Sequence, residues 1–439
     1  MDLLKDDVRS LFYKFLIPAV SSAVAVALYS FVDTIVIGQG VGPDGMAACA
    51  IVLPIFSIAS FMALLCGIGG SVLMNRARGE GRQEKGDAYF TAALLYVCVI
   101  MTAVWIAGGS FQMPLYRVFG ADEIVLPYAY DYGKWIFGAF PSFVLVTFLG
   151  CFVRSDGSPR FVMLITILGG IINIIGDIVL VFPLNMGMEG AAIATVCGSV
   201  TQSLLLIGYI LCGRTTLHIA KPYNWFKALK KISLLGVGAG ITQIATIIMT
   251  FIMNNQIMKY SGTSALAVYG MLCTAAALFI CIYNGIGQAA QPIVSVNYGA
   301  GNHERYWTVG QLGTKNALVF GIICFALCAM FPSQMTAIFM KVTPEVEQIA
   351  PYIIRVYAIS FLPMAWNMFS VAYLQAVLKS REATIVSMLR GILLSSVLLY
   401  VLPLFMGGTG IWWAVTIAES ITAVIALWYM IPKLKKNGH

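Results

Sequence analysis

The sequence predicts an all-α polytopic membrane protein, with twelve transmembrane helices arranged as two pseudo-twofold-related six-helix lobes. Three observations predict it. Of the 439 residues, 59% are hydrophobic and only 10% charged, a balance that suits a chain dissolved in lipid rather than a water-soluble globule. Apolar runs long enough to cross a bilayer recur at 11–38, 47–75, 88–110, 125–152, 161–182, 191–212, 233–258, 264–296, 308–332, 348–377, 383–405 and 410–432. The chain also repeats itself at an offset of 220 residues.

At that offset Phe31 matches Phe251, Gly42 matches Gly262, Ala47 matches Ala267, and Gly67 matches Gly287. Gly79 and Gly81 match Gly299 and Gly301, and Glu84 matches Glu304. VFPLNMGMEG at 181–190 aligns with VLPLFMGGTG at 401–410. An even number of spans per copy gives both copies the same orientation, related by an axis along the membrane normal. The expected organisation is a first lobe at 1–212, a cytoplasmic amphipathic linker at 213–232, and a second lobe at 233–439.

The net charge of +8 raises the question of nucleic acid, but its placement answers it. Lysines and arginines gather at the termini (Lys5, Arg9, Lys433, Lys435, Lys436) and on alternate connections, around Arg76–Lys85, Arg154–Arg160, Arg214–Lys231, Arg305 and Lys379–Arg381. The opposite connections carry little beyond Arg117, Lys259 and Lys341. That asymmetry is a topology signal: both termini in the cytoplasm of a multi-pass cell-membrane protein, with the bilayer and not nucleic acid as partner. Residues 1–10 carry three acids and the first apolar run is too long for a signal-peptide core, so no cleaved leader is expected. The ten cysteines are scattered through apolar helices without a CxxC pair, and read as small buried hydrophobes in preference to disulfide or metal ligands. His218 and His303 lie in cytoplasmic connections and His439 ends the chain, so no histidine metal site is expected.

The first span holds an acid where lipid disfavours one. Ser22, Tyr29 and Asp33 share a helical face, and a carboxylate at the centre of a spanning helix costs roughly 2.5–3.5 kcal/mol on insertion scales. Asp33 is therefore a functional candidate; the alternative is that it sits high enough to reach headgroups and water. The fifth span repeats the anomaly in GGIINIIGDIVLVF, with Asn173 one turn before Asp177 on the same face. Both spans run outward, and each acid lies about five residues below its outer end, roughly 8 Å deep at ~1.5 Å per residue. Thr195 in the descending sixth span reaches a similar level, with Tyr29 and Asn173 one turn deeper. Two carboxylates together in a low dielectric cannot both stay ionised. Such a set takes up a proton, or a small hard cation such as Na⁺ for which Tyr, Asn and Thr oxygens are suitable further ligands. A static hydrogen-bonded network is the other reading.

The linker, GRTTLHIAKPYNWFKALKKI, places Trp225, Phe226 and Leu229 opposite Lys227, Lys230 and Lys231, with Pro222 separating it from span 6. By pattern it is an interfacial helix, either a plain anchored linker or a regulatory lipid contact. The second lobe lacks the acid pair, since Asp33 becomes Met253 and Asp177 becomes Val397 at the repeat offset. Its polar candidates are Gln243, Asn254, Asn255, Asn284, Gln288 and Gln291 in spans 7 and 8, and one acid, Glu419, in span 12. Arg390 or Lys315 is placed to pair with Glu419, which is either a structural ion pair or a substrate-facing acid. Glu419, Asn255, Gln288 and Tyr283 are candidates for a substrate cavity, with Trp366, Trp412 and Trp413 as aromatic walls for bulky cations or as plain packing.

IPAVSSAVAVALYSFVDTIVIGQGVG, with Pro18 fifteen residues before Asp33, resembles the first span of the multidrug and toxic compound extrusion (MATE) transporters. Gly79–Glu80–Gly81 and Gly299–Ala300–Gly301, ending spans 2 and 8, resemble the same family, as does NIIGDIVLVFPLNMGMEGAAIAT across spans 5 and 6. The resemblance covers nearly the whole chain. It implies a twelve-helix, two-lobe antiporter, monomeric, exporting organic cations against H⁺ or Na⁺ by alternating access, with no cofactor besides the coupling ion. In the branch with its ion site in the first lobe, the matching positions are Tyr29, Asp33, Asn173, Asp177 and Thr195, with Pro18 as the bend in span 1. Pro18 lacks an amide hydrogen, so a bend there costs less than elsewhere in the helix. Another branch carries acids in spans 7 and 10, and this chain has neither. The first alternative is a flippase for lipid-linked oligosaccharides in the same superfamily. It calls for a cationic cavity, whereas intramembrane cations are few (Lys134, Lys315, Arg355, Arg390). A membrane-embedded enzyme is the second alternative, and no HExxH, GxSxG or histidine cluster supports it.

Overall fold

The computed structural model describes residues 2–121, 123–221, 224–339 and 344–430, so Pro222, Lys341, Lys433, Lys435, Lys436 and His439 lie outside the described residues. All regular structure among the described residues is helical, as apolar runs that must bond their own backbone in lipid require.

In the first half the helices are α1 (Val8–Gly40), α2 (Pro43–Gly79), α3 (Gln83–Ser110), α4 (Gln112–Val118), α5 (Val125–Gly138), α6 (Phe140–Ser155), α7 (Pro159–Val181) and α8 (Gly187–Leu211). In the second half they are α9 (Trp225–Gly299), α10 (His303–Met330), α11 (Pro332–Phe339), α12 (Pro344–Ile359), α13 (Phe361–Ala376), α14 (Ser380–Met388), α15 (Leu394–Met406) and α16 (Thr409–Met430).

Most of the expected spans correspond to one helix each; the fourth, tenth and eleventh are each built from two helices, and the seventh and eighth share one. α5 and α6 meet at a 51° bend beside Pro141 and together make the fourth span. α9 is 75 residues long, about 110 Å at ~1.5 Å per residue and several times a hydrocarbon core of ~30 Å. It is broken at Gly262, whose φ of 77° and ψ of −173° suit only a residue without a Cβ, and so it holds spans seven and eight. Pro18 stands buried inside α1, and the hydroxyl of Ser22 donates to its carbonyl at 2.8 Å.

The chain divides into two compact units. The first is Ile17–Gly236 with Ser295–Gly301 and the first few residues; the second is Asp7–Leu16, Val237–Val294 and the chain from Asn302 onward. The first unit thus runs through the segment expected as a linker. Where the sequence suggested a surface helix of its own at 213–232, the described residues before Trp225 are non-helical. The helix starting at Trp225 then continues into span seven without a break.

Small residues let α7 and α8 approach backbone to backbone, the main packing device available where lipid supplies no hydrophobic drive between helices. A Cβ on Gly198 of α8 would lie 2.7 Å from the carbonyl oxygen of Gly169 on α7. In the second unit α13 and α16 pack together, and between α14 and α15 the chain makes one π-helical turn, Leu389–Leu393.

Candidate functional site

In the first unit, α1 presents Tyr29 and Asp33 one turn apart, and α7 presents Asn173 and Asp177 in the same way. Asp177 is fully buried, Asn173 is 3% exposed, and Asp33 is half-buried. The carboxyl groups of Asp33 and Asp177 meet within hydrogen-bonding reach. The amide of Asn173 donates to the Thr195 hydroxyl of α8 at 3.1 Å. The Tyr29 ring lies over Gly170 of α7, where a Cβ would come within 2.8 Å of it. All five residues named from the sequence therefore come together on three helices.

Two further groups complete the surroundings. Tyr132 of α5, 4% exposed, has its hydroxyl beside Thr195 and lies close to both acids. Cys49 of α2 is near enough to feel the charge of both carboxyls. Sequence reading missed them because nothing in it fixes the depth of α5, bent from α6, or the face of α2. The one available signal was a polar Tyr–Asp–Tyr run, 130–132, opening the fourth span.

The set is short of donors. Oδ1 of Asp33, both carboxyl oxygens of Asp177 and Oδ1 of Asn173 are buried with no protein donor among the described residues. Two facing carboxyl groups can share a hydrogen bond only when one of them carries a proton. Alternatively, a hard monovalent cation could be met by these oxygens and by Thr195. The arrangement is one of buried acceptors without protein donors among the described residues, a costly state at low dielectric.

The second unit places its candidates differently. Glu419 of α16, 4% exposed, receives Arg390 twice, Nη2 to Oε1 at 2.8 Å and Nε to Oε2 at 3.3 Å. Asn367 of α13 donates to Oε2 at 2.7 Å and to the Glu419 carbonyl at 2.9 Å. Of the two cations considered for this acid, Arg390 is the one that reaches it. Arg390 sits in the π-helical turn, and its carbonyl is taken by the Ser395 hydroxyl five residues on. Asn255 is exposed and its amide donates to the Phe251 carbonyl of its own helix at 2.9 Å. Gln288 is half-buried, and Tyr283 is 1% exposed with its ring end beside Cys324 of α10. Of the aromatic residues, Trp412 is buried beside Tyr269, and the Trp366 indole donates to the Ala423 carbonyl at 3.3 Å, both packing roles.

The MatE family model matches this chain twice, over residues 18–179 and 239–401, at the spacing of the internal repeat. A multidrug export protein, MepA, of Staphylococcus aureus is 25% identical over 423 residues, covering 94% of this chain and 91% of that one. An FAD transporter of Shewanella oneidensis is 24% identical over 388 residues, covering 86% and 84%. Among solved structures, an outward-facing multidrug resistance MATE family transporter of the MOP superfamily superimposes with a TM-score of 0.91 at 22% identity, over 97% of this chain and 96% of that one. A MOP superfamily transporter from Pyrococcus furiosus, described as having a binding pocket of reverse polarity, gives 0.90 at 21% identity, over 97% and 96%.

Proposed function

Because this chain belongs to the MatE family, we propose that it is an antiporter of the cell membrane that exports organic cations, drugs among them, by alternating access, driven by H⁺ or Na⁺. Both termini lie in the cytoplasm in this reading, and the protein works as a monomer. One observation carries the proposal: two carboxyl groups face each other in a membrane-spanning bundle with no protein donor to satisfy them. Binding a proton or Na⁺ from outside lowers the uncompensated charge of the pair by one unit and lets α1 repack near Pro18. The ion's differential affinity for the two conformations supplies the bias that moves substrate. Tyr29, Asn173 and Thr195 orient the pair. The export of drugs is favoured by the names of several relatives, and a cationic cargo by the pairing of Arg390 with Glu419, which leaves that arginine no spare charge for an anion.

The test is ethidium transport in proteoliposomes under independently imposed pH and Na⁺ gradients. Wild type should move ethidium opposite to H⁺ or Na⁺ running down one of these gradients, and Asp33→Asn should abolish coupled movement while expressing normally. Wild-type coupling in Asp33→Asn would remove the proposed mechanism.

A further inference from the structure

Residues 216–220, which follow α8, are pinned within the first unit. The Asp156 carboxylate, in the α6–α7 turn, accepts from the Thr216 amide at 2.9 Å and from the Thr216 hydroxyl. It also pairs with Arg78 of α2 at 2.7 Å, and Arg78 in turn pairs with Asp87 of α3 at 3.2 Å. The Thr216 carbonyl accepts from Arg78 at 3.0 Å and from Gln83 at 3.3 Å, and the Ala220 amide donates to Thr91 at 3.0 Å. This clamp holds Thr216 and Ala220 against α2, α3 and the α6–α7 turn.

The first three turns of α9 are two-sided. Ile232 is fully buried and Leu235 is 3% exposed. On the other side Phe226 is 83% and Leu234 56% exposed, with Lys227, Lys230 and Lys231 exposed between them. Helical spacing sets the three ammonium groups side by side, where they repel one another, and near the positive end of a helix dipole, where cations are disfavoured. No lysine of the three has an ion-pair partner among the described residues, and no acid occurs in the sequence between Glu189 and Glu304. A mixed face of lysines and bulky apolar groups, at the end of a spanning helix on the side where the cationic connections gather, fits one surface. Lysines meet phosphate oxygens there while Phe226 and Leu234 enter the acyl boundary.

We propose that Phe226, Lys227, Lys230, Lys231 and Leu234 form a docking face for anionic phospholipid headgroups of the cytoplasmic leaflet, presented by the Arg78–Asp156 clamp. This does not rest on the export reading and is measured without transport. Full-length protein in detergent is titrated with phosphatidylglycerol or phosphatidylcholine, and retained lipid is counted by native mass spectrometry. Wild type should retain phosphatidylglycerol in preference. The K227Q/K230Q/K231Q variant should lose affinity for it by about fivefold per lysine, with phosphatidylcholine unchanged. Phe226→Ala, which keeps the charge, should weaken retention of both lipids. Phe226, Lys227, Lys230 and Lys231 are exposed, so those variants should melt as wild type does, and the clamp variant Asp156→Ala, which removes a carboxylate only 3% exposed, should lower phosphatidylglycerol affinity with all three lysines in place. Wild-type lipid preference in the triple variant would overturn the proposal. So would displacement of phosphatidylglycerol by an equal concentration of inorganic phosphate, which would mark a soluble anion as the ligand.

Discussion

Asp33 and Asp177 in the first unit have no lysine or arginine paired with them among the described residues, whereas Glu419 in the second holds Arg390 at 2.8 Å and Asn367 at 2.7 Å. All three acids are drawn into a bundle of apolar helices, and each must be compensated there. The second half compensates from within: a cation and an amide occupy both carboxylate oxygens. The first half has no such fixed partner among the described residues, and in the proposed function a bound ion supplies the compensation. A buried ion pair is a poor source of net stability but costly to break, while an unpaired acid pair is responsive.

The largest effect should come from neutralising the responsive site. Asp33→Asn or Asp177→Asn should reduce gradient-driven ethidium transport at least about a hundredfold with little loss of thermal stability, because each removes an uncompensated charge and leaves a similar shape. The opposite signature should mark the second site. Glu419→Gln strands a buried guanidinium and should cost about 3–5 kcal/mol of stability, read as a fall in unfolding temperature. Replacing both partners, Arg390→Met with Glu419→Met, should restore most of that loss. If the double variant is folded but transports nothing, the pair belongs to the working site and the contrast between the halves fails.

Smaller changes sharpen the picture. Gly198→Ala drives a methyl group into the Gly169 carbonyl and should cost about 1–3 kcal/mol, loosening the Asn173–Thr195 bond along with the α7–α8 contact. Ethidium transport should fall roughly in proportion in vesicles assayed near the unfolding temperature. Tyr132→Phe removes only the hydroxyl that lies beside Thr195. About 1 kcal/mol is at stake, so the driving-ion concentration for half-maximal transport should shift by about fivefold while coupling survives.

Particular residues show what was legible beforehand. Asp33 and Asp177 stood out because a charge inside a twenty-residue apolar run has no ordinary explanation, and counting residues from the span ends placed both at one depth. Depth, however, is a single coordinate. That Tyr132 on α5 and Cys49 on α2 face the same point depends on helix rotation and on the 51° bend between α5 and α6, which apolar periodicity does not encode. The pattern of Trp225, Phe226 and the three lysines was read as a separate surface helix. Nothing local could show that those turns continue into a span, because a helix start and a helix in its own right share the same amphipathic signal.

Composition and periodicity were enough for the class of fold, the number of spans, the doubling of the chain and the identity of its misplaced acids, since each is a property of short stretches set against a bilayer of known thickness. Partnership was a different matter. Whether Glu419 met Lys315 or Arg390, and whether two aspartates faced each other or lipid, turned on side-chain directions across helices far apart in the chain. Those directions are settled only when glycines such as Gly170 and Gly198 let the helices close to contact.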